Sequence, residues 1–290
     1  MNRIFRIRKI LSILFIPSKI SQVSNKIMST TQVYKMGGNE LADPAWLDRF
    51  ARTMADLPGR KVIVHGGGRM IAEMQARLGI RTQIVDGLRV TDAETLDVAQ
   101  MVMSGRVNKL LVAALLKAGV QAIGLSGVDG GLLRCRQKIY AGRDLGLVGE
   151  IEGVRTGLLH LLLDAGWTPV ISPISLGADG QAYNVNADEA AGMIAGAVAG
   201  AMFGSSPDGS LTIITNTPGV LDGKGEVMHT LALAQARELA AKGIIRGGMM
   251  PKVQAALMAT EQGVRQARIV DLAGLAGAGG TVITADAAGG

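Results

Sequence analysis

The sequence predicts an α/β protein built from repeated units of strand, glycine loop and helix. Two such units follow one another early in the chain, Lys35-Met-Gly-Gly after one apolar run and His65-Gly-Gly-Gly after the next. The composition agrees, because 40 glycines with only 3% aromatic residues favour tight strand-to-helix turns and close helix packing over aromatic clusters. At 290 residues the chain has room for one large α/β domain or two lobes around a substantial core.

The net charge of +6 belongs to the head of the chain. Six of the 30 basic residues lie within residues 1–27, which hold no acid, so 24 basic residues remain against 24 acidic ones. A neutral body without a basic stripe and interleaved aromatics argues against a nucleic-acid partner. The apolar run in the head, near Ile10 to Ile16, is too short to span a bilayer, so no membrane partner is expected. Four readings of residues 1–27 stay open: a true start at Met28, a transit peptide, a membrane-surface helix or an oligomerisation helix. Met28-Ser-Thr-Thr running straight into an apolar strand favours the first. The single cysteine, Cys135, excludes an internal disulfide framework and fits a reducing, cytoplasmic compartment, with packing as the expected use of the thiol.

The first strand is expected over Gln32 to Met36, ending in Lys35-Met-Gly-Gly-Asn. A lysine beside Gly37 and Gly38 lets backbone amides approach an anion while an ammonium neutralises it. A helix over Ala45 to Asp56 leads to a second strand, Lys61 to Val64, and then to His65, Gly66, Gly67 and Gly68 before a helix over Met70 to Leu78. Neither loop has the spacing of a Walker A motif or a dinucleotide fingerprint. For His65 a hydrogen-bonded structural role is favoured over base or metal ligand, since no ligand-type cluster lies near it. Thr82 to Val90 reads as a strand or hairpin arm turning at Asp86-Gly87. Arg89 is either a surface residue or a planar fork for a carboxylate. Thr91-Asp-Ala-Glu then reads as a capping box for a helix with Val98, Met101 and Val102 on one face.

Val120 to Leu125 is a buried-strand pattern, followed by a hairpin through Leu132 to Ile139 and a further extended piece from Asp144 to Val154. The glycines at 124, 127 and 130 do not make a dinucleotide loop, because the spacing is wrong and a strand follows. A helix over Thr156 to Asp164 and a strand over Thr168 to Ser172 precede the turn Ala178-Asp-Gly. Asn184, Asn186 and Asp188 then alternate along an extended segment that hands over to a helix of small apolar residues reaching Phe203. This junction is either an Asx-rich cap or an anion-facing helix N-terminus. Ser205 to Ser210 is the most loop-like stretch of the body and a candidate lobe boundary. Beyond it, Leu211 to Thr215 is a strand opening onto Asn216-Thr-Pro-Gly-Val-Leu-Asp-Gly, at the edge where open α/β sheets bind ligands. A helix is expected over Leu231 to Lys242, and another beginning at Gly247-Gly-Met-Met-Pro-Lys. Lys252 in its first turn opposes the helix dipole, which argues for an anion nearby. Strands near Arg268 to Asp271 and Thr281 to Thr284 end the chain.

The ordered set Lys35-Met-Gly-Gly-Asn, His65-Gly-Gly-Gly, Gly87-Leu-Arg-Val-Thr, Asp144-Leu-Gly-Leu-Val-Gly, Tyr183-Asn-Val-Asn-Ala-Asp and Gly247-Gly-Met-Met-Pro-Lys resembles the acetylglutamate kinases of the amino acid kinase family, over roughly Thr31 to Thr284. The resemblance implies a three-layer αβα sandwich with a mostly parallel central sheet. Residues 28–204 would form a lobe that binds N-acetyl-L-glutamate and dimerises, and residues 205–290 an ATP lobe, after the extension at 1–27. By the same resemblance Lys35, Lys252 and Asp188 are catalytic, with Asp188 holding both lysines. Gly67, Gly68, Arg89 and Asn184 would bind the substrate. Gly37, Gly38, Thr215, Asn216, Gly219, Leu221, Gly247 and Gly248 would bind ATP, with Mg2+ held through the nucleotide and no metal held by the protein itself. A homodimer is implied, and hexamers occur among the arginine-inhibited members.

Two departures stand out. The family usually has an aspartate where this chain has Asn216, and the segment after Asp271 is short, which argues against arginine feedback, while the apolar head argues for it. Two rivals remain at this point. One is a kinase for carrier-protein-linked 2-aminoadipate or glutamate, whose relatives share the Gly124 to Gly130 stretch. The other is a non-catalytic regulatory module, which predicts a lost lysine or a broken glycine loop, whereas both lysines and both loops are here.

Overall fold

A computed structural model describes residues 31–38, 40–81, 84–85, 88–140, 142–200 and 209–284, with the backbone alone for 84–85 and 88–89. The basic head, the Asp86-Gly87 turn, the far end of the small-residue helix and residues 205–208 of the candidate lobe boundary lie outside the described residues, as does the side chain of Arg89.

Eight strands form one sheet in the order β12 (Thr230–Ala232), β14 (Thr281–Thr284), β13 (Gln266–Asp271), β11 (Gly209–Thr215), β1 (Thr31–Met36), β2 (Arg60–His65), β8 (Thr168–Ser172), β5 (Ala122–Ser126). From β13 to β5 all neighbours are parallel, whereas β14 runs antiparallel to β13 and carries β12 parallel to itself. The near-continuous apolar runs of β1, β2, β8 and β11 are what a sheet buried on both faces requires. Along β1 the period of two puts Val33 into the core on one face and Tyr34 and Met36 into the core on the other.

Helices cover both faces. One layer holds α1 (Pro44–Asp56), α2 (Gly68–Leu78), α3 (Ala93–Gln100) and α4 (Asn108–Lys117), packed through Phe50, Met54, Ile71 and Leu111. The other holds α5 (Thr156–Asp164), α6 (Ala187–Gly200), α7 (Leu233–Ala241) and α8 (Met249–Glu261), packed through Leu159, Ile194, Ala236 and Val253. The fold is therefore a three-layer αβα sandwich with a mostly parallel central sheet. A Cβ at Gly192 would fall 2.9 Å from the Ala255 carbonyl oxygen, so α6 and α8 touch at their backbones. That closeness brings their N-termini together at the carboxyl edge of the sheet.

Three local expectations change. The cap of α3 is Asp92, whose carboxylate accepts from the Thr95 amide at 2.8 Å, not Thr91, which is fully buried and bonded to β7 (Arg143–Val154). Met101 is 60% exposed, because the buried stripe runs through Leu96, Ala99 and Met103, and Met101 lies on the far side of the turn. Leu231 and Ala232, expected to begin a helix, belong instead to β12, with Leu231 at the sheet edge against Ile283. Two features were not expected. Met101–Val107 is π-helical, joining α3 to α4 in one continuous rod. The strands β6 (Leu133–Tyr140), β7, β9 (Ile174–Gly177) and β10 (Ala182–Asn184) close into a four-strand ring.

Candidate active site at the carboxyl edge of the sheet

Strands β1, β2 and β11 end side by side, with Lys35 opposite Val64 on β2 and Ile213 on β11. The glycine loops after β1 and β2 meet directly. The Gly66 amide donates to the Met36 carbonyl at 3.2 Å. A Cβ on Gly38 would lie 2.6 Å from the Gly67 nitrogen and 2.7 Å from its Cα, so only glycine fits there. Gly67 itself is pressed from behind by Met103 of the π-helical stretch, and Gly68 opens α2.

Between the loops stands the Lys35 ammonium, 2.8 Å from Asp188 Oδ1, with the two side chains 6% and 9% exposed. The contact is short but not aligned as a hydrogen bond, and this buried oxygen has no other partner among the described residues. Asp188 sits in the first turn of α6, where the helix dipole favours an anion. Asn186 caps that turn: its side-chain oxygen accepts from the Asp188 amide at 2.7 Å and from the Glu189 amide at 3.4 Å. The cap and the anion-facing carboxylate are thus two neighbouring residues rather than alternative readings of one.

Lys252 enters from the first turn of α8, preceded by Gly247 in the left-handed region (φ 57°). Its ammonium donates to the Gly248 carbonyl at 2.9 Å. Burial lowers its pKa; Asp188 pulls it back up, Lys35 lowers it further and Glu40 raises it. Asp188 thus pairs directly with Lys35, and Lys252 feels the same carboxylate through its field.

On β11 the Thr215 hydroxyl donates to Asn216 Oδ1 at 3.4 Å, and Asn216 is exposed at the strand mouth. The following loop is tied down where Val220 N donates to the Thr281 hydroxyl at 2.8 Å; a Cβ on Gly219 would meet that hydroxyl at 2.7 Å. Leu221 pairs with Val227 across the loop, and Asp222 closes it by accepting from the Lys224 and Glu226 amides at 2.8 and 2.9 Å. Thr217 Oγ1 in the same loop is buried and has no hydrogen-bond partner among the described residues.

Asn184 and Arg89 belong to a second cluster. Asn184 Nδ2 donates to the Thr91 hydroxyl at 3.4 Å, two residues beyond Arg89 on β4 (Leu88–Arg89), which pairs with β3 (Ile84–Val85). Thr91 is gripped by the Asp144 to Gly149 motif: its amide donates to Leu145 O at 3.0 Å and its carbonyl accepts from Leu147 N at 2.6 Å. Gly146 (φ 73°) allows this, since a Cβ there would stand 2.4 Å from Thr91 O.

Several participants were not singled out from the sequence. Glu40 folds its carboxylate back onto Gly37, where a Cβ would lie 2.7 Å from Oε2, and its place directly after the glycine loop was a usable signal. Thr91 hid within the supposed capping box. Lys138 on β6 pairs with Glu189 at 2.7 Å and ties the four-strand ring to the start of α6, a contact across 51 residues with no local signature. Burial pushes the Cys135 thiol up to about 11, with Asp179 and Glu152 adding to the effect, so it packs as an inert thiol. Among the described residues no group of three His, Cys, Asp or Glu converges to hold a metal ion, and no helix is long and apolar enough to cross a membrane.

A buried ammonium between two touching glycine loops, with a second ammonium at a helix N-terminus facing it, is an arrangement that gathers positive charge for two anions at once. Comparison with known proteins agrees. Residues 30–271 match the model of the amino acid kinase family. An acetylglutamate kinase of Chloroflexus aurantiacus is 49% identical over 249 residues, covering 86% of this chain and 94% of its own length. One of Methanopyrus kandleri is 44% identical over 259 residues, covering 87% of this chain and 99% of its own length. Among solved structures, smu.665 of Streptococcus mutans superposes with a TM-score of 0.73 at 26% identity, covering 88% of this chain and 99% of that one.

Proposed function

The chain belongs to the amino acid kinase family, and from that premise we propose that it is an acetylglutamate kinase, transferring the terminal phosphoryl group of ATP to the side-chain carboxylate of N-acetyl-L-glutamate in arginine biosynthesis. One observation carries the chemistry: the Lys35 ammonium, paired with Asp188 at 2.8 Å, stands where the two glycine loops meet. The acceptor is taken from the relatives, which are kinases of that compound.

The reaction brings two anions together, so positioning and charge neutralisation do most of the work. The acceptor carboxylate is already ionised at neutral pH, with a reference pKa of about 4.3, and no base is needed. Its oxygen forms the new bond to phosphorus as the bond to the leaving ADP oxygen breaks, and the electron pair departs with ADP. Lys35 and Lys252 flank the moving group, and Asp188 fixes the direction of the first. The amides of Gly37 and Gly38 take phosphoryl oxygens on the nucleotide side, and those of Gly67 and Gly68 take the acceptor side. Thr215, Asn216, Gly219, Leu221, Gly247 and Gly248 line the nucleotide's place. Arg89 and Asn184, joined through Thr91, hold the far carboxylate of the acceptor. Mg2+ would arrive with the nucleotide rather than on protein carboxylates and would supply charge neutralisation at the phosphates.

Residues 28–204 serve as the acceptor and dimer half and residues 205–290 as the nucleotide half of a cytoplasmic homodimer. ADP release offered acetylglutamate, glutamate and 2-aminoadipate, free and carrier-linked, tests the activity. Turnover is expected with free acetylglutamate, and turnover confined to a carrier-linked substrate would overturn the assignment.

A further inference from the structure

His65 ends β2, is fully buried and takes no part in the mechanism above. Its two ring nitrogens have different partners. Nδ1 lies 3.0 Å from the Gly66 carbonyl oxygen, and Nε2 lies 3.1 Å from Asn108 Nδ2 at the start of α4.

The surroundings decide which nitrogen carries the proton. Asn108 cannot be turned over. Its Oδ1 receives the Lys109 ammonium at 2.9 Å, which can only donate, while its Nδ2 faces Val170 O at 2.9 Å and Leu125 O at 3.4 Å, which can only accept. The Asn108 amide nitrogen cannot accept a proton from Nε2, and the Gly66 carbonyl can only accept, so the ring proton sits on Nδ1, which donates to Gly66 O, and Nε2 faces the Asn108 amide as an acceptor. Gly124 leaves room for this, since a Cβ there would fall 2.0 Å from Asn108 Oδ1.

The Gly66 carbonyl is half of the peptide whose other half is the Gly67 N–H. A planar trans peptide points the two in opposite directions, so holding the oxygen aims the hydrogen. The Gly66 amide is pinned as well, by Met36 O at 3.2 Å. Among the described residues nothing accepts from the Gly67 N–H, which lies against Gly38 where the two loops meet.

We propose that His65 is a positioning residue of the anion site: a neutral imidazole, locked by Asn108 in the Nδ1–H form, that turns the Gly67 N–H toward the anion. This rests on the phosphoryl-transfer reading for its effect on rate, but not for its tautomer. Burial pushes the imidazole pKa down to about 4, against the Gly66 hydrogen bond, which raises it, and with Lys109, which lowers it. Among the described residues Lys109 is the charged group whose field acts on the ring. The ring therefore keeps one form across neutral pH.

The test uses two substitutions that each keep one hydrogen bond. An asparagine amide can reach the place of Nδ1, whereas a glutamine amide reaches the place of Nε2. In the full-length protein, His65→Gln is expected to lower kcat/KM for the acceptor by about 10²-fold, the scale of a misaimed group, and His65→Asn by under about tenfold. A merely structural role predicts the reverse order, because asparagine leaves the larger hole and the lower melting temperature. Losses that follow melting temperature, or equal losses in both variants, overturn the proposal. The wild-type ring can be read directly, since 15N-histidine spectra of a chain with 3 histidines give three patterns, assigned by the His65 variants. The Nδ1–H form at pH 7 is expected, and the Nε2–H form or an imidazolium overturns the proposal whatever the activity. A wild-type protein that releases no ADP with acetylglutamate would sink the functional reading alone, and the spectrum would still decide the tautomer.

Discussion

Lys35 rises from the middle of the sheet, 4% exposed, with a carboxylate at 2.8 Å. Lys252 comes from the first turn of a helix, half-buried, and its ammonium, among the described residues, donates to Gly248 O of its own helix at 2.9 Å. The two cations face the same space, yet one is an integral part of the fold and the other is held loosely at its rim. The difference teaches which groups wait for a ligand. Lys35 is neutralised by Asp188 and supplies fixed geometry. Lys252, opposed by its helix dipole and by Lys35, gains a full counter-charge only when an anion arrives.

The sharpest way to break this comparison is to delete each lysine. Lys252→Ala should lower kcat by about 10² to 10³, the scale of one lost transition-state donor, with melting and acetylglutamate affinity nearly intact. An unchanged kcat in steady-state assays would remove Lys252 from the mechanism. Lys35→Met should instead cost stability as well as activity, about 3 to 5 kcal/mol in urea unfolding, because Asp188 is left buried without its partner. Equal stability of the two variants would erase the distinction.

Smaller effects sharpen it. The lowered pKa of Lys252, set first by burial and then by the charges of Asp188, Lys35 and Glu40, predicts that kcat/KM falls on the alkaline side below the range of an ordinary lysine. A pH-rate profile that holds flat up to that range would count against a cation in this role. Acid stability reports on the fixed side of the site. His65 stays neutral in the folded state down to about pH 4, while in the unfolded chain it takes up a proton near 6.5. Its contribution to stability is thus intact above pH 6.5 and is lost as pH falls from there toward 4, by on the order of 3 kcal/mol. Urea midpoints of the wild type and His65→Asn between pH 7 and 4 should converge. The smallest effect belongs to a control, the exposed Arg69 and Glu73 pair on α2: Glu73→Ala should change stability by under about 0.5 kcal/mol.

What the sequence made legible was local. β1, β2, β8 and β11, the helix over Thr156 to Asp164 and both glycine loops announce themselves through apolar runs and turn residues within a dozen positions. The same holds for Lys35 and Lys252, whose neighbouring glycines mark them. What stayed hidden depends on partners far along the chain. Nothing near Asn108 shows that it will meet His65, 43 residues earlier, and nothing near Lys138 points to Glu189. The ring of β6, β7, β9 and β10 is closed by pairings that no periodicity encodes.

Arg268 on β13 has a further consequence. Its guanidinium donates to the carbonyls of Gly279 and Gly274 at 2.7 Å, Gly277 at 2.6 Å and Leu275 at 3.4 Å, so the loop over residues 272–280 is wrapped around a cation. That loop is leucine, alanine and glycine alone, with Leu275 as its buried anchor. It has almost no oil of its own to fold around, and its shape is set from the neighbouring strand, by Arg268 and by the Asp271 carboxylate that accepts from the Gly274 amide at 2.7 Å. A lysine would keep the charge and lose the fan of donors. Tolerance to mutation there should be lowest at position 268 and at the crowded glycines, above all Gly280, where φ is 93° and a Cβ would fall 2.5 Å from Ile269 O.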